Sequence, residues 1–175
     1  SNIDTGVQWE HPALMNQYRG WDGSAGDHDY NWWDPYNQNP LVPTDADGHG
    51  SHTMGTMVGS DNPADPLNAD NAIGVAPGAK WIACDGFDNN TGSGYDAELL
   101  ECAEFLLAPW DLTGANPDPD MRPDVINNSW GGGPAQWWYN QAIYAWRAAG
   151  IMGVFSGGNA GPNCATVHSP SDYTN

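Results

Sequence analysis

Three short stretches carry side chains able to hold, take or stabilise charge in a reaction. The first is Asp4-Thr5-Gly6. A carboxylate at such a place can orient a histidine and stabilise its charged form, although an Asp before a Gly is also ordinary turn chemistry. The second is Gly48-His49-Gly50-Ser51-His52. An imidazole titrates near neutrality and can act as a general base. With Asp47 alongside, His49 and His52 also admit a metal reading. They lack the i, i+4 spacing of the zinc helix and have no Glu between them, so base, ligand and purely structural histidine stay open. The third is Ser156-Gly157-Gly158-Asn159, where a side-chain amide between glycines could meet a developing oxyanion or could simply complete a turn.

The elements around them place these stretches. Ser1 to Val7 reads as the end of a strand running into a turn. His49 to Val58 reads as a tightly packed helix, Lys80 to Cys84 as a short apolar strand, and Tyr95 to Leu107 as an amphipathic helix ending before Pro109. Asp124 to Ile126 and Ile151 to Phe155 read as further strands, with a helix over Ala135 to Ala149 between them. Residues 18–48 read as a long ordered loop whose aromatics pack onto the body or line a groove, and residues 60–72 and 111–123 as polar, Pro-containing loops. Short apolar strands alternating with helices predict an α/β domain: a parallel sheet with helices on both faces, incomplete at both ends. In such sheets ligands gather beyond the carboxyl ends of the strands, where the small-residue turns Asp4-Thr5-Gly6, Ser129-Trp130-Gly131 and Gly158-Asn159 fall.

Length and composition set the outer limits. The 175 residues suffice for one domain with a real core. Ten Trp and seven Tyr argue against disorder. Four Lys and Arg against 22 Asp and Glu leave a net charge of −18, which repels phosphate backbones and makes nucleic acid an unsuitable partner. No apolar run approaches the ~20 residues of a membrane span. Cys84 and Cys102 flank a strand-to-helix connection and could pair, leaving Cys164 over. That pairing and the acidity lean toward a secreted protein. The first residues show no signal peptide, which excludes nothing for a trimmed product.

Taken together the stretches resemble the subtilisin-like serine peptidases, the subtilases. The resemblance rests on Asp4-Thr5-Gly6, His49-Gly50-Ser51-His52, Gly74-Val75-Ala76-Pro77, Asn128-Ser129-Trp130-Gly131 and Gly158-Asn159, in the family's order. Within the family the chain is similar to the bacillopeptidase F group, through Trp9-Glu10-His11-Pro12-Ala13-Leu14, Leu106-Leu107-Ala108-Pro109-Trp110, Pro123 to Gly133 and Ala145-Trp146-Arg147-Ala148-Ala149. It covers nearly all 175 residues and implies a three-layer subtilisin-like fold. It implies a secreted endopeptidase in which Asp4 is the triad acid, His49 the base and Asn159 the oxyanion donor. It further implies that Ser129, Trp130 and Gly131 form one edge of a groove and Gly92, Ser93 and Gly94 the other, holding a peptide or protein substrate by strand addition. It joins Cys84 to Cys102.

The departures carry as much weight. His-Gly-Ser-His replaces the commoner His-Gly-Thr-His and keeps a hydroxyl. The nucleophile of the family sits in a Gly-Thr-Ser-Met-Ala-type motif after the oxyanion Asn, and none occurs within residues 1–175. Ser156 and Ser169 do not replace it. The expectation is therefore a partial catalytic domain over 1–175, its N-terminal and central part, inactive alone, with the nucleophile on a further segment or a second chain. The alternative is a non-catalytic subtilase-like module that binds peptides. The stretch from Asp65 to Ile73 lacks the family's longer calcium loop, so that site is not carried over. No cofactor is required, although Asp45, Asp47, Asp61, Asp65, Asp70 and Asp85 could hold a structural Ca²⁺ or form a solvated acidic surface.

Overall fold

The computed structural model describes residues 1–62 and 73–173. The expected loop at 60–72, with Asp65 and Asp70, falls almost wholly outside them. The five strands are β1 (Asn2–Asp4), β2 (Trp32–Trp33), β3 (Ala83–Asp85), β4 (Val125–Asn128) and β5 (Met152–Phe155), with helices α1 (His49–Val58), α2 (Asp96–Leu107) and α3 (Asn140–Ala148) between them. The sheet runs in the order β2-β3-β1-β4-β5, and every pairing is parallel. All strand carboxyl ends therefore share one edge. The turn residues expected to do chemistry follow β1, β4 and β5 at that edge.

Alternation along β1 sorts side chains between the two faces. Ile3 points to one side and packs with Ile82, Cys84 and Ile126 against α2 and α3. Asn2 and Asp4 point to the other, where the Asn2 amide donates to the Gly50 carbonyl at 3.2 Å and holds α1. Helix α2 buries Leu99, Cys102, Ala103, Phe105 and Leu106, the i, i+3, i+4, i+7 stripe of a helix lying on a sheet. Trp146 of α3 is buried against it and donates its indole N–H to the Ala103 carbonyl at 3.0 Å. Cys84 on β3 and Cys102 on α2 are bonded within this layer, and Cys164 is free and exposed.

The structure moves several boundaries. The strand expected over 80–84 begins at Ala83, because Lys80 to Ile82 run up to the sheet and Trp81 pairs with Tyr18 in an isolated bridge. The helix expected over 135–149 starts at Asn140, after a tight turn over Trp137–Tyr139 and a left-handed Ala135. The long loop 18–48 contains β2, which adds Trp32 and Trp33 to the sheet beside β3. Its aromatics mostly pack inward: Tyr18 and Trp32 are buried with Leu14, Met54 and Trp81 under α1. On that same face Val125, Met152 and Val154 of the far strands stand exposed among the described residues.

Candidate functional site

Helix α1 begins at the carboxyl edge because its first turn is clamped to the segment after β1. The Asp45 carboxylate accepts N–H groups from Gly48 at 2.7 Å and Ser51 at 2.7 Å, so it satisfies two of the orphan donors of the helix start, and it accepts the preceding Asp47 N–H at 3.2 Å. It also accepts the Thr5 hydroxyl at 2.9 Å, and Thr5 Oγ1 in turn accepts the Gly50 N–H at 2.9 Å. Ser51 Oγ, the hydroxyl retained in the His-Gly-Ser-His stretch, accepts the Gln8 N–H at 2.8 Å. Gly50 is required: a Cβ there would lie 2.0 Å from the Gly6 carbonyl oxygen. This close approach brings the start of α1 against the end of β1.

As a result His49 Nδ1 lies 2.6 Å from Asp4 Oδ1. The same oxygen accepts the Thr5 N–H at 2.9 Å, and Asp4 Oδ2 accepts the Thr53 hydroxyl at 3.1 Å. The two partners differ in exposure, with 3% of the Asp4 side chain and 49% of the His49 side chain open to solvent. The buried acid is thus fixed by three donors, while the imidazole keeps an open face. Among the described residues nothing hydrogen-bonds His49 Nε2, and no serine hydroxyl reaches the ring. Burial raises the Asp4 carboxyl above its ordinary value, opposed by the His49, Thr5 and Thr53 donors. The hydrogen bond from Asp4 raises His49 above the usual imidazole value, and burial of the ring opposes it.

The other expected site residues fall at the same edge. Gly92, Ser93, Gly94, Trp130 and Gly131 line a cleft of about 300 Å³ that separates the two stretches. Ser129 precedes Trp130 in the chain without lining the cleft, and its hydroxyl accepts the Asn127 amide at 2.9 Å. Asn159 is exposed in the turn after β5, next to a left-handed Gly158. No hydrogen bond among the described residues joins it to Asp4 or His49. Asp47 accepts the His49 backbone N–H, and no group of three His, Cys, Asp or Glu among the described residues is arranged to hold a metal ion. Of the acidic positions weighed for calcium, Asp45 is spent on backbone donors. Asp85 is 1% exposed and carries its proton near neutrality.

Asp85 is a site feature that sequence reasoning placed in a set of acidic residues, either calcium ligands or a solvated surface. It stands in register with Asp4 on the neighbouring strand. Burial, with repulsion from the buried Asp34, pushes its carboxyl up to about 8. An unfolded Asp ionises near 4, so between about pH 4 and 8 the folded chain holds a proton that the unfolded chain has lost. Folding stability therefore falls as pH rises across that window, by about 1.4 kcal/mol per unit from this group, and levels off above it. Urea unfolding of the parent and of Asp85→Asn at pH 5, 6 and 7 is expected to show the gap between them growing in favour of the variant. Parallel curves would refute the assignment.

The subtilase family model matches residues 1–175. Bacillopeptidase F of Bacillus subtilis (strain 168) is 44% identical over 183 residues, covering 99% of this chain and 12% of the relative. The Minor extracellular protease Vpr of the same organism is 29% identical over 181 residues, covering 96% of this chain and 18% of the relative. The solved structure of a psychrophilic protease superposes with a TM-score of 0.64 at 23% identity, covering 97% of this chain and 48% of that one. At that identity the likeness is one of fold. The chain thus spans 12% and 18% of the length of the two curated relatives.

Proposed function

The chain belongs to the subtilase family, and on that premise we propose that it supplies the acid, the base and the oxyanion amide of a secreted serine endopeptidase: Asp4, His49 and Asn159. One observation carries the reading. His49 presents one ring nitrogen to a buried carboxylate at 2.6 Å and leaves the other unpartnered on a half-open side chain. That is the arrangement needed by a base that takes a proton from a nucleophile and is held in one tautomer.

In the proposed reaction a serine Oγ attacks the scissile carbonyl carbon while His49 Nε2 takes its proton. The carbonyl π electrons move to oxygen, and the Asn159 amide donates to the resulting oxyanion. Collapse expels the amine, which takes the proton back from His49. A water then repeats the sequence on the acyl-enzyme and frees the acid. No step uses a cofactor. The peptide lies as an added strand between Gly92–Gly94 and Ser129–Gly131. The nucleophile comes from a segment outside residues 1–175, on the same polypeptide or a second one. That segment covers the exposed Val125, Met152 and Val154, since uncovered apolar patches mark contact surfaces. Secretion is supported by the printed name of one relative, an extracellular protease, and no described helix is long and apolar enough to cross a membrane.

The test uses the full gene product. It is expected to cleave casein and to be labelled at one serine by a fluorophosphonate probe, with labelling abolished in His49→Ala. A protein that binds peptides but takes no label and cleaves nothing is the non-catalytic module instead.

A further inference from the structure

We infer that the cleft between Gly92–Gly94 and Trp130–Gly131 receives the side chain of a lysine or arginine of the substrate peptide, with Asp96 as the residue that selects it. The inference rests on the peptidase reading above and names the substrate class of that site. The cleft has apolar walls from Phe87, Leu99, Trp130 and Trp138, and its charged lining residue is Asp96, exposed in the first turn of α2. The two indoles are stacked with centroids 6.4 Å apart. Aromatic faces beside a carboxylate suit a side chain with an apolar stem and a cationic head, because the stem is desolvated and the head meets both the carboxylate and the ring quadrupoles.

The field around the cleft has the same sign. Asp88 is bridged through the backbone to Ser93, and Asp172 accepts the N–H of Ala135 beside the lining residue Gln136. Hydrogen bonds hold both carboxyls below their usual values, so both are charged at neutral pH. None of the four cationic side chains of the chain lines this cleft. Arg19, Lys80 and Arg122 line a separate cavity of about 610 Å³ at the amino ends of the strands, with Ser1, Asp124 and Val125. Arg147 lines another cavity with Ile143 and Tyr173. A substrate cation therefore meets no lysine or arginine of the chain at the cleft, and the acidic carboxylates around it favour its approach.

The full gene product is assayed on a peptide series in which one position at a time carries lysine or its neutral isostere norleucine. At one position the ratio of kcat/KM for lysine over norleucine is expected to be about fivefold at low salt, the upper range for an exposed ion pair. It should shrink in 1 M NaCl as screening predicts. In Asp96→Asn the ratio falls to about one, and in Asp96→Lys the same position prefers glutamate over glutamine. A ratio near one at every position of the parent, or one that survives both substitutions, overturns the inference while leaving the peptidase reading intact. Failure to cleave any peptide, norleucine series included, overturns both.

Discussion

Replacing His49 by alanine in the full gene product lowers kcat by about 10⁶-fold, and Asp4→Asn lowers it by about 10⁴-fold, magnitudes taken from other triads of this kind. The geometry gives the reason for the second loss. Asp4 Oδ1 accepts from both the His49 ring and the Thr5 amide, and Oδ2 accepts from Thr53. An asparagine cannot be an acceptor at both oxygens. If its NH₂ faces His49, the ring must offer a lone pair at Nδ1 and carry its proton at Nε2, where it cannot act as a base. A pH profile separates this from simple unfolding. A base works in its neutral form, so the acid limb of kcat/KM follows the His49 value, which the Asp4 hydrogen bond raises. In Asp4→Asn that cause is gone and the residual activity should have its acid limb at lower pH. A limb that stays in place in a folded variant would count against Asp4 as the partner of the base.

The Cys84→Ala/Cys102→Ala double variant is expected to lose about 3 kcal/mol. The bond closes a loop of sequence separation 18, and a loop of that length removes about that much chain entropy from the unfolded state. For a domain of this size the unfolding temperature drops by about 6–12 °C in calorimetry. Both cysteines are fully buried between β3 and α2, whereas Cys164 is exposed. Alkylation of the native protein should therefore mark Cys164 alone, with Cys84 and Cys102 reacting only after denaturation and reduction. Native labelling of either partner, or an unchanged unfolding temperature in the double variant, would contradict the pairing.

The sequence by itself determined the order of the elements other than β2 and the end of each strand at which chemistry would gather. Helix α2 was legible because apolar side chains at helical spacing report a buried stripe, and α1 because its glycines among Met54, Met57 and Val58 suit a closely packed helix; both are local patterns. The family was legible as a resemblance, because Asp4-Thr5-Gly6, His49-Gly50-Ser51-His52 and Gly158-Asn159 are contiguous motifs that occur in the family's order. Strand β2 was not legible: two residues carry no periodicity, and Trp32 and Trp33 become a strand only because β3 offers them a free edge.

Only the tertiary structure decided what each carboxylate does. In the sequence Asp4 stands out as an acid able to orient a histidine, while Asp45 and Asp85 are members of one acidic set that could hold calcium or face solvent. One is saturated by the backbone donors of α1, one is buried and protonated, and one grips the imidazole. Asp45 takes its backbone donors from within six positions, but the groups that fix Asp4 and Asp85 include His49, Thr53 and Asp34, about forty-five or more positions away, and local spacing does not encode those. The cleft between Gly94 and Trp130 is of the same kind, a space bounded by loops that meet because parallel strands end on one side.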